Sequence, residues 1–116
     1  RISDLAAQNL SLLAWANAKL TFKDTPLLQA IASEAIRKIS EFLPQNLANI
    51  AWASATLGFS NAPLLAAISA TARPMSGQFG PQELANTAWA FARFGCPDKP
   101  LLQSLSVSAI ATIAEF

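Results

Sequence analysis

The residues of this chain that could bind a ligand are polar side chains that recur at a fixed spacing. They lie on the polar arcs of three equivalent predicted helices. As candidate binding residues we select Lys19, Asn46, Asn49, Thr56, Glu83, Asn86 and Arg93. Their amide, hydroxyl and charged groups donate or accept hydrogen bonds, and some of them pair with opposite charge. This chemistry suits recognition of a partner through non-covalent contacts.

Residue types that are missing argue against catalysis and metal binding. The chain has no His and no Tyr, and its one cysteine is Cys96. A Ser/His/Asp or Cys/His set needs an imidazole or an equivalent base, and structural zinc needs about four Cys or His ligands. We therefore predict no enzyme activity, no catalytic residue, no metal site and no cofactor. Cys96 is interpreted as a small buried hydrophobic residue.

Charge is sparse, and the composition is rich in alanine. Eight Lys and Arg against seven Asp and Glu give a net charge of +1, which excludes a module that holds nucleic acid by phosphate attraction alone. By our count, 24 of the 116 residues are Ala, the best helix former and the smallest apolar side chain. We expect closely packed helices, no membrane span and no signal peptide. Because the sequence begins at Arg1, we also expect a processed or excerpted piece.

The sequence repeats itself with a period of 37 residues, the spacing that separates Trp15, Trp52 and Trp89. The predicted repeats are residues 7–43, 44–80 and 81–116, and residues 1–6 are interpreted as the tail of a preceding repeat. We expect one repeat array, flanked by further repeats of the same chain. Two helices are predicted in each repeat, near 8–20, 26–42, 44–57, 63–73, 81–94 and 100–115.

Local signals place the ends of these helices. Gly58 and Gly95 are expected to end their helices in the left-handed conformation, and Thr21 takes the same place at some cost. Asp24, Asn61 and Asp98 are predicted N-caps, each two residues before a proline. The fourth helix should bend or stop near Thr71 to Arg73, because Pro74 follows. Hairpins this short bury their apolar faces only by stacking, so the predicted fold is all-α, an α-solenoid of antiparallel helical hairpins.

The repeat resembles the octotricopeptide and heptatricopeptide repeats, helical-hairpin arrays of organelle proteins. The resemblance lies in PQNLANIAWASATLG at 44–58, in PQELANTAWAFARFG at 81–95, and in the P-L-L that opens each second helix. The 37-residue period fits the heptatricopeptide version. The first repeat departs from the pattern, with Leu12 in place of the Asn and Ala7 in place of the Pro.

This resemblance implies that the chain binds single-stranded RNA in mitochondria or plastids, about one base per repeat. The implied role is transcript processing, RNA stability or ribosome assembly. In such a protein, Asn49 and Asn86 could pair with base edges, while Lys19 and Arg93 could meet phosphates.

Alternative interpretations stay open for the function and for several residues. A protein-binding scaffold, or a structural subunit of a large organellar complex, also fits sparse charge and apolar array ends. The tryptophans could stack on bases, but we expect each to be wedged between the two helices of its hairpin. Asn49 and Asn86 could bridge consecutive repeats as a ladder or could contact a ligand. Three variable positions, Asn17, Ser54 and Phe91, are expected to adjust packing.

Overall fold

Helices account for all of the regular secondary structure in the described part of the chain, which in this computed structural model comprises residues 2–95, 100, 101, 103 and 105. Within residues 2–95 the α-helices are α1 (Ala7–Lys19), α2 (Thr25–Arg37), α3 (Pro44–Leu57), α4 (Ala62–Ala72) and α5 (Pro81–Arg93). Short 3-10 turns occupy Ile2–Asp4, Ile39–Glu41 and Ser76–Gln78. Residues 100, 101, 103 and 105 are also helical. The predicted all-α class is confirmed.

Equivalent elements begin at a constant spacing. α1, α3 and α5 begin at residues 7, 44 and 81, so that 44 − 7 = 37 and 81 − 44 = 37. The same difference of 37 separates the starts of α2 and α4 at residues 25 and 62. It also separates the 3-10 turns that begin at 2, 39 and 76. Recurring local signals therefore produce recurring elements, since Pro44 and Pro81 both stand in the first turn of their helices.

Side chains cap the N-termini of α2 and α4, as predicted. Asp24 accepts a hydrogen bond from the backbone N–H of Leu27 at 3.2 Å. Asn61 accepts one from Leu64 at 3.0 Å. Each cap satisfies one of the amide groups that a helix start leaves without an intrahelical partner. The third predicted cap, Asp98, lies outside the described residues, as does Cys96.

Residues in the left-handed conformation follow the ends of α1, α3 and α5, as the sequence predicts. Gly58 has φ +66° and Gly95 has φ +65°, while Thr21 has φ +52° at the equivalent place. Glycine enters this region without steric penalty, whereas a β-branched residue such as threonine is strained there. The first hairpin therefore carries a backbone strain that the second does not.

We predict that Thr21→Gly stabilises the chain and that Gly58→Ala destabilises it, each by about 1 kcal/mol. A Cβ added at Gly58 would meet no atom within 4 Å, so its cost is conformational and not steric. Urea unfolding followed by circular dichroism measures both changes. Gly77→Ala is the matched control, because a Cβ at Gly77 also meets nothing within 4 Å and its φ is not positive. Equal effects at Gly58 and Gly77 would contradict this account.

The second helix of the first hairpin is shorter than predicted. A continuous helix over 26–42 is wrong, because α2 ends at Arg37 and a 3-10 turn follows at Ile39–Glu41. Proline at position 44 holds Leu43 in an extended conformation (φ −90°, ψ 164°), so the chain must leave the helical region before it. The turn also brings Phe42 into the core. The predicted stop near Arg73 is confirmed, since α4 ends at Ala72.

The helices form two layers, with α1, α3 and α5 side by side in the first layer and α2 and α4 packed together in the second. Hydrogen bonds show that the first-layer helices run parallel. Near the helix starts, Asn46 Nδ2 donates to Ser11 Oγ at 3.3 Å. Near the helix ends, Lys23 Nζ donates to the carbonyl of Gly58 at 3.4 Å, and Arg93 Nε donates to that of Ala55 at 3.2 Å.

A basic residue joins the second layer to the segment that precedes α1. Lys38 Nζ donates to the carbonyl of Leu5 at 2.6 Å and pairs with Glu34 at 3.7 Å. Arg37 also pairs with Glu34, at 2.9 Å. The hydrogen bond from Arg37, together with the positive charges of Arg37 and Lys38, lowers the pKa of Glu34. Whether residues 1–6 end a preceding repeat stays a prediction.

Candidate functional site

The packing of α3 shows which side of a first-layer helix is not covered by other helices and is therefore accessible to a ligand. Neighbouring helices cover two of its sides, and the second layer covers a third. Four residues on the remaining side keep solvent exposure: Gln45, Asn49, Trp52 and Thr56. Their spacing of four, three and four residues is that of a single narrow stripe along a helix.

Equivalent stripes lie on the two helices that flank α3. In α1 the stripe is Gln8, Leu12, Trp15 and Lys19, and in α5 it is Gln82, Asn86, Trp89 and Arg93. All of these side chains are exposed or half-buried. We call the twelve residues of the three stripes the open face. Because the three helices are parallel, residues at equal positions form rows across it: a glutamine row, a row with Asn49 and Asn86, a tryptophan row, and a last row with Lys19 and Arg93.

A pocket shows that neighbouring stripes adjoin. It has a volume of about 180 Å³ and lies between the N-terminal halves of α1 and α3. Its lining residues are Gln8, Ser11, Leu12, Leu43, Gln45, Asn46 and Asn49. Amide groups and two leucines therefore surround one shallow depression, which a small polar group with an apolar edge could enter.

All three tryptophans lie on the open face, and for Trp15 and Trp89 this corrects the prediction that each tryptophan is wedged within its hairpin. Trp15 is 39% exposed and Trp89 is 44% exposed, while Trp52 is half-buried and packs against the hydrophobic core. Trp15 is exposed even though α3 packs beside it. The prediction was wrong because tryptophan lies at the rim of the apolar arc, where the sequence of a single helix does not show how far the neighbouring helix extends.

Two of the tryptophans carry a cation over the ring. Lys19 Nζ lies 5.5 Å from the ring centroid of Trp15. The guanidinium of Arg93 lies 5.7 Å from that of Trp89. Such contacts follow from the i,i+4 spacing of the pairs along their helices. The middle stripe has Thr56 where the others have a cation, so Trp52 lacks this neighbour.

Asn49 and Asn86 are half-buried on the open face. Among the described residues, neither side-chain amide makes a hydrogen bond. The structure therefore shows no ladder that joins consecutive repeats through these amides. Their donors and acceptors remain accessible from the solvent side.

Asn46 and Glu83, two of the selected candidates, form hydrogen bonds at the N-termini of α3 and α5. Asn46 Oδ1 accepts from the backbone N–H of Leu43 at 2.9 Å, and Glu83 Oε1 accepts from that of Gly80 at 2.9 Å. Asn9 makes the equivalent bond, accepting from Ala6 at 3.3 Å. This is one half of a capping box. Asn46 is only 8% exposed because it lies on the side of α3 that faces α1.

Sequence reasoning thus chose two residues that serve the fold and left out seven that lie on the open face, namely Leu12 and six residues that recur at the 37-residue period. The six are Gln8, Gln45, Gln82, Trp15, Trp52 and Trp89. Recurrence at one period was the available signal for all of them, but it marks packing positions and surface positions alike.

Charge on the open face has one sign. Of its twelve residues, Lys19 and Arg93 are cationic and none is Asp or Glu. This face therefore attracts anions, although weakly, since exposed charges are screened by salt.

Two buried polar atoms among the described residues lack a hydrogen-bond partner, Asn17 Nδ2 and Thr87 Oγ1. The variable positions Asn17, Ser54 and Phe91 are all buried, as expected of packing positions. Ser54 satisfies its hydroxyl by donating to the carbonyl of Ile50 at 2.8 Å.

We predict that Thr87→Val stabilises the chain by about 1 kcal/mol, because it replaces a buried hydroxyl that has no partner with a methyl group of similar size. The equivalent position is apolar in both other repeats, where Leu13 and Ile50 stand. Thermal unfolding measures the change, and Thr71→Val, at a half-buried site on α4, is the control for a general effect of valine. A loss of stability at position 87 would show that the hydroxyl is satisfied.

Comparison with models of known protein families and with curated proteins finds no match. None of the described helices combines the length and the apolar character that a bilayer-crossing helix needs. Nor do the described residues bring three or more His, Cys, Asp or Glu side chains together where they could hold a metal ion.

Proposed function

We propose that this chain is a non-catalytic segment of an α-solenoid that binds single-stranded RNA across its open face. The observation that carries the proposal is the tryptophan row, which lies between a row with two free amides and a row with two cations. Aromatic faces stack on bases, amides pair with base edges, and cations contact phosphates. These are three contact types by which proteins bind unpaired RNA.

The solenoid part of the proposal draws support from the regular succession of elements. Equivalent helices begin 37 residues apart, and each first-layer helix packs on the next. Each repeat is then one antiparallel hairpin. Membership of the octotricopeptide/heptatricopeptide family, a mitochondrial or plastid location, and a role in transcript processing, RNA stability or ribosome assembly rest on the resemblance of the repeat sequence.

The proposed contacts imply weak binding that depends little on salt. Three repeats would contact about three bases, and only two cations lie on the face. With about 0.7 counterion released per phosphate contact on a single strand, the logarithm of the binding constant should fall with the logarithm of salt with a slope near −1.4.

We predict that Arg93→Ala weakens binding to all RNA sequences and reduces the salt slope by about 0.7, and that Lys19→Ala does the same. Filter binding of a randomised single-stranded RNA at two low salt concentrations measures both effects. Arg73→Ala is the matched control, because Arg73 is exposed at the end of α4 in the second layer. An equal loss at Arg73 would indicate non-specific attraction and would contradict an open-face site.

Trp15→Leu should weaken RNA binding by about 1–3 kcal/mol, since it removes one stacking platform, with little loss of stability because the ring is exposed. Quenching of tryptophan fluorescence by the RNA provides a second measurement. The control is Phe22→Leu, which changes an exposed aromatic residue outside the open face. Binding that is insensitive to Trp15→Leu would contradict stacking on the tryptophan row and would remove the observation that carries the proposal.

A protein-binding scaffold is the second candidate function. It is favoured by Leu12 and Leu43, two exposed leucines at the rim of the pocket between α1 and α3. Exposed apolar groups beside polar ones are typical of protein interfaces. Two results together would favour the scaffold. The chain would show no affinity for RNA at low salt, and it would capture a specific protein in a way that Leu12→Ser abolishes.

A further inference from the structure

Arg93 is held at two points that belong to different repeats. Its Nε donates a hydrogen bond to the carbonyl of Ala55, near the end of α3, at 3.2 Å. Its guanidinium also lies over the ring of Trp89, at 5.7 Å from the ring centroid and one helical turn earlier on α5. The partial negative charge at the C-terminus of α3 favours a cation at this place. The side chain is therefore oriented across the junction between α3 and α5 in the free chain.

This anchoring uses only part of the guanidinium. An arginine has five N–H donors, one on Nε and four on the two terminal nitrogens. In the described part of the chain, no carboxylate or other acceptor is bonded to the terminal nitrogens of Arg93. Arg93 is exposed, and the open face carries no Asp or Glu that could neutralise it. Two parallel donors are thus available to an anion from the solvent.

Arg37 shows how a guanidinium of this chain holds an oxyanion. Its Nε and one terminal nitrogen donate to the two carboxylate oxygens of Glu34, at 3.2 and 2.9 Å. Arginine binds phosphate through two parallel hydrogen bonds of the same kind. Because the Nε of Arg93 is already bonded, the edge that remains for such a contact is the pair of terminal nitrogens. Phosphate is the oxyanion that the backbone of single-stranded RNA supplies.

We propose that Arg93 is a preoriented site for one phosphate of the RNA backbone, and that Trp89 is the positioning residue of this site. Trp89 then acts on binding through Arg93 and is not a separate platform for a base, because the guanidinium covers its ring. This inference rests on the proposed function for the identity of the ligand. Lys19 on Trp15 provides no equivalent site, because an ammonium is a point charge without a planar pair of donors.

A double-mutant cycle for binding of a randomised single-stranded RNA tests the role of Trp89. We expect Arg93→Ala and Trp89→Leu each to weaken binding about tenfold, and the double variant to be no weaker than Arg93→Ala alone. Trp89→Phe is the matched control and should restore binding, since it keeps an aromatic ring beneath the cation. Trp89 is 44% exposed, so the fold should survive, which circular dichroism checks. Losses that add in the double variant would show that Trp89 contacts the RNA by itself and would overturn its positioning role.

Arg93→Lys tests the pair of donors separately from the charge. We expect it to weaken RNA binding about tenfold while the salt slope stays that of the parent, because the charge is kept and the parallel hydrogen bonds are lost. Binding equal to that of the parent would show that Arg93 acts as a point charge and would overturn the oriented site.

A measurement without RNA separates this site from the proposed function. The Nε–H signal of Arg93 is followed by NMR in a chain with isotope-labelled arginine, first alone and then with inorganic pyrophosphate at low salt. We expect slow exchange of this proton with water and a saturable shift on addition of pyrophosphate. Trp89→Leu should abolish both. Arg73, which is exposed in the second layer, is the internal control and should show neither.

Failure of this site and failure of the proposed function give different results. A saturable shift at Arg93 in a chain that has no affinity for RNA at low salt would support the anion site and contradict the proposed function. Fast exchange of the Arg93 Nε–H in the free chain, or the absence of a saturable shift, would overturn the preoriented site even in a chain that binds RNA.

Discussion

Close contact between first-layer helices through alanine determines the rest of this structure. Helices that meet through such small side chains can approach to the short end of the usual range of about 8–10 Å between axes. At that distance the inner helix α3 loses two sides to its neighbours and a third to the second layer. One side remains, and it is only wide enough for residues spaced four, three and four apart. The confinement of tryptophan, amide and cation to a single stripe in each repeat follows from this packing.

The same packing explains the low content of charge. A surface helix of a globular protein usually turns one face to the core and carries charged and polar residues on the opposite face. Here the inner helix α3 contributes no charged residue to its exposed stripe. Charged side chains are instead found at helix ends and in the second layer, where Glu34, Arg37 and Lys38 form a small network. Charged residues make up only 13% of the chain because neighbouring helices cover much of the surface of each helix.

Much of the fold could be predicted from sequence because its signals are local. A cap such as Asp24 followed by Pro26, or a left-handed residue such as Gly58, acts within one turn of the helix. The early end of α2 could be missed because the constraint comes from Pro44, beyond the helix itself. The exposure of Trp15 and the burial of Asn46 could not be predicted, for a different reason. Both lie at the rim between covered and open sides, and the position of that rim depends on the neighbouring helix.

Near-identity of the stripes creates a problem of register for any extended molecule that lies across the open face. Such a molecule crosses one helix after another and meets a glutamine, a tryptophan and a polar group at nearly every step. Displacement by one whole repeat would restore almost the same contacts. Two departures from the pattern remove this degeneracy, Leu12 in place of asparagine and Thr56 in place of a cation. The irregular positions, and not the repeated ones, therefore distinguish one alignment from the next.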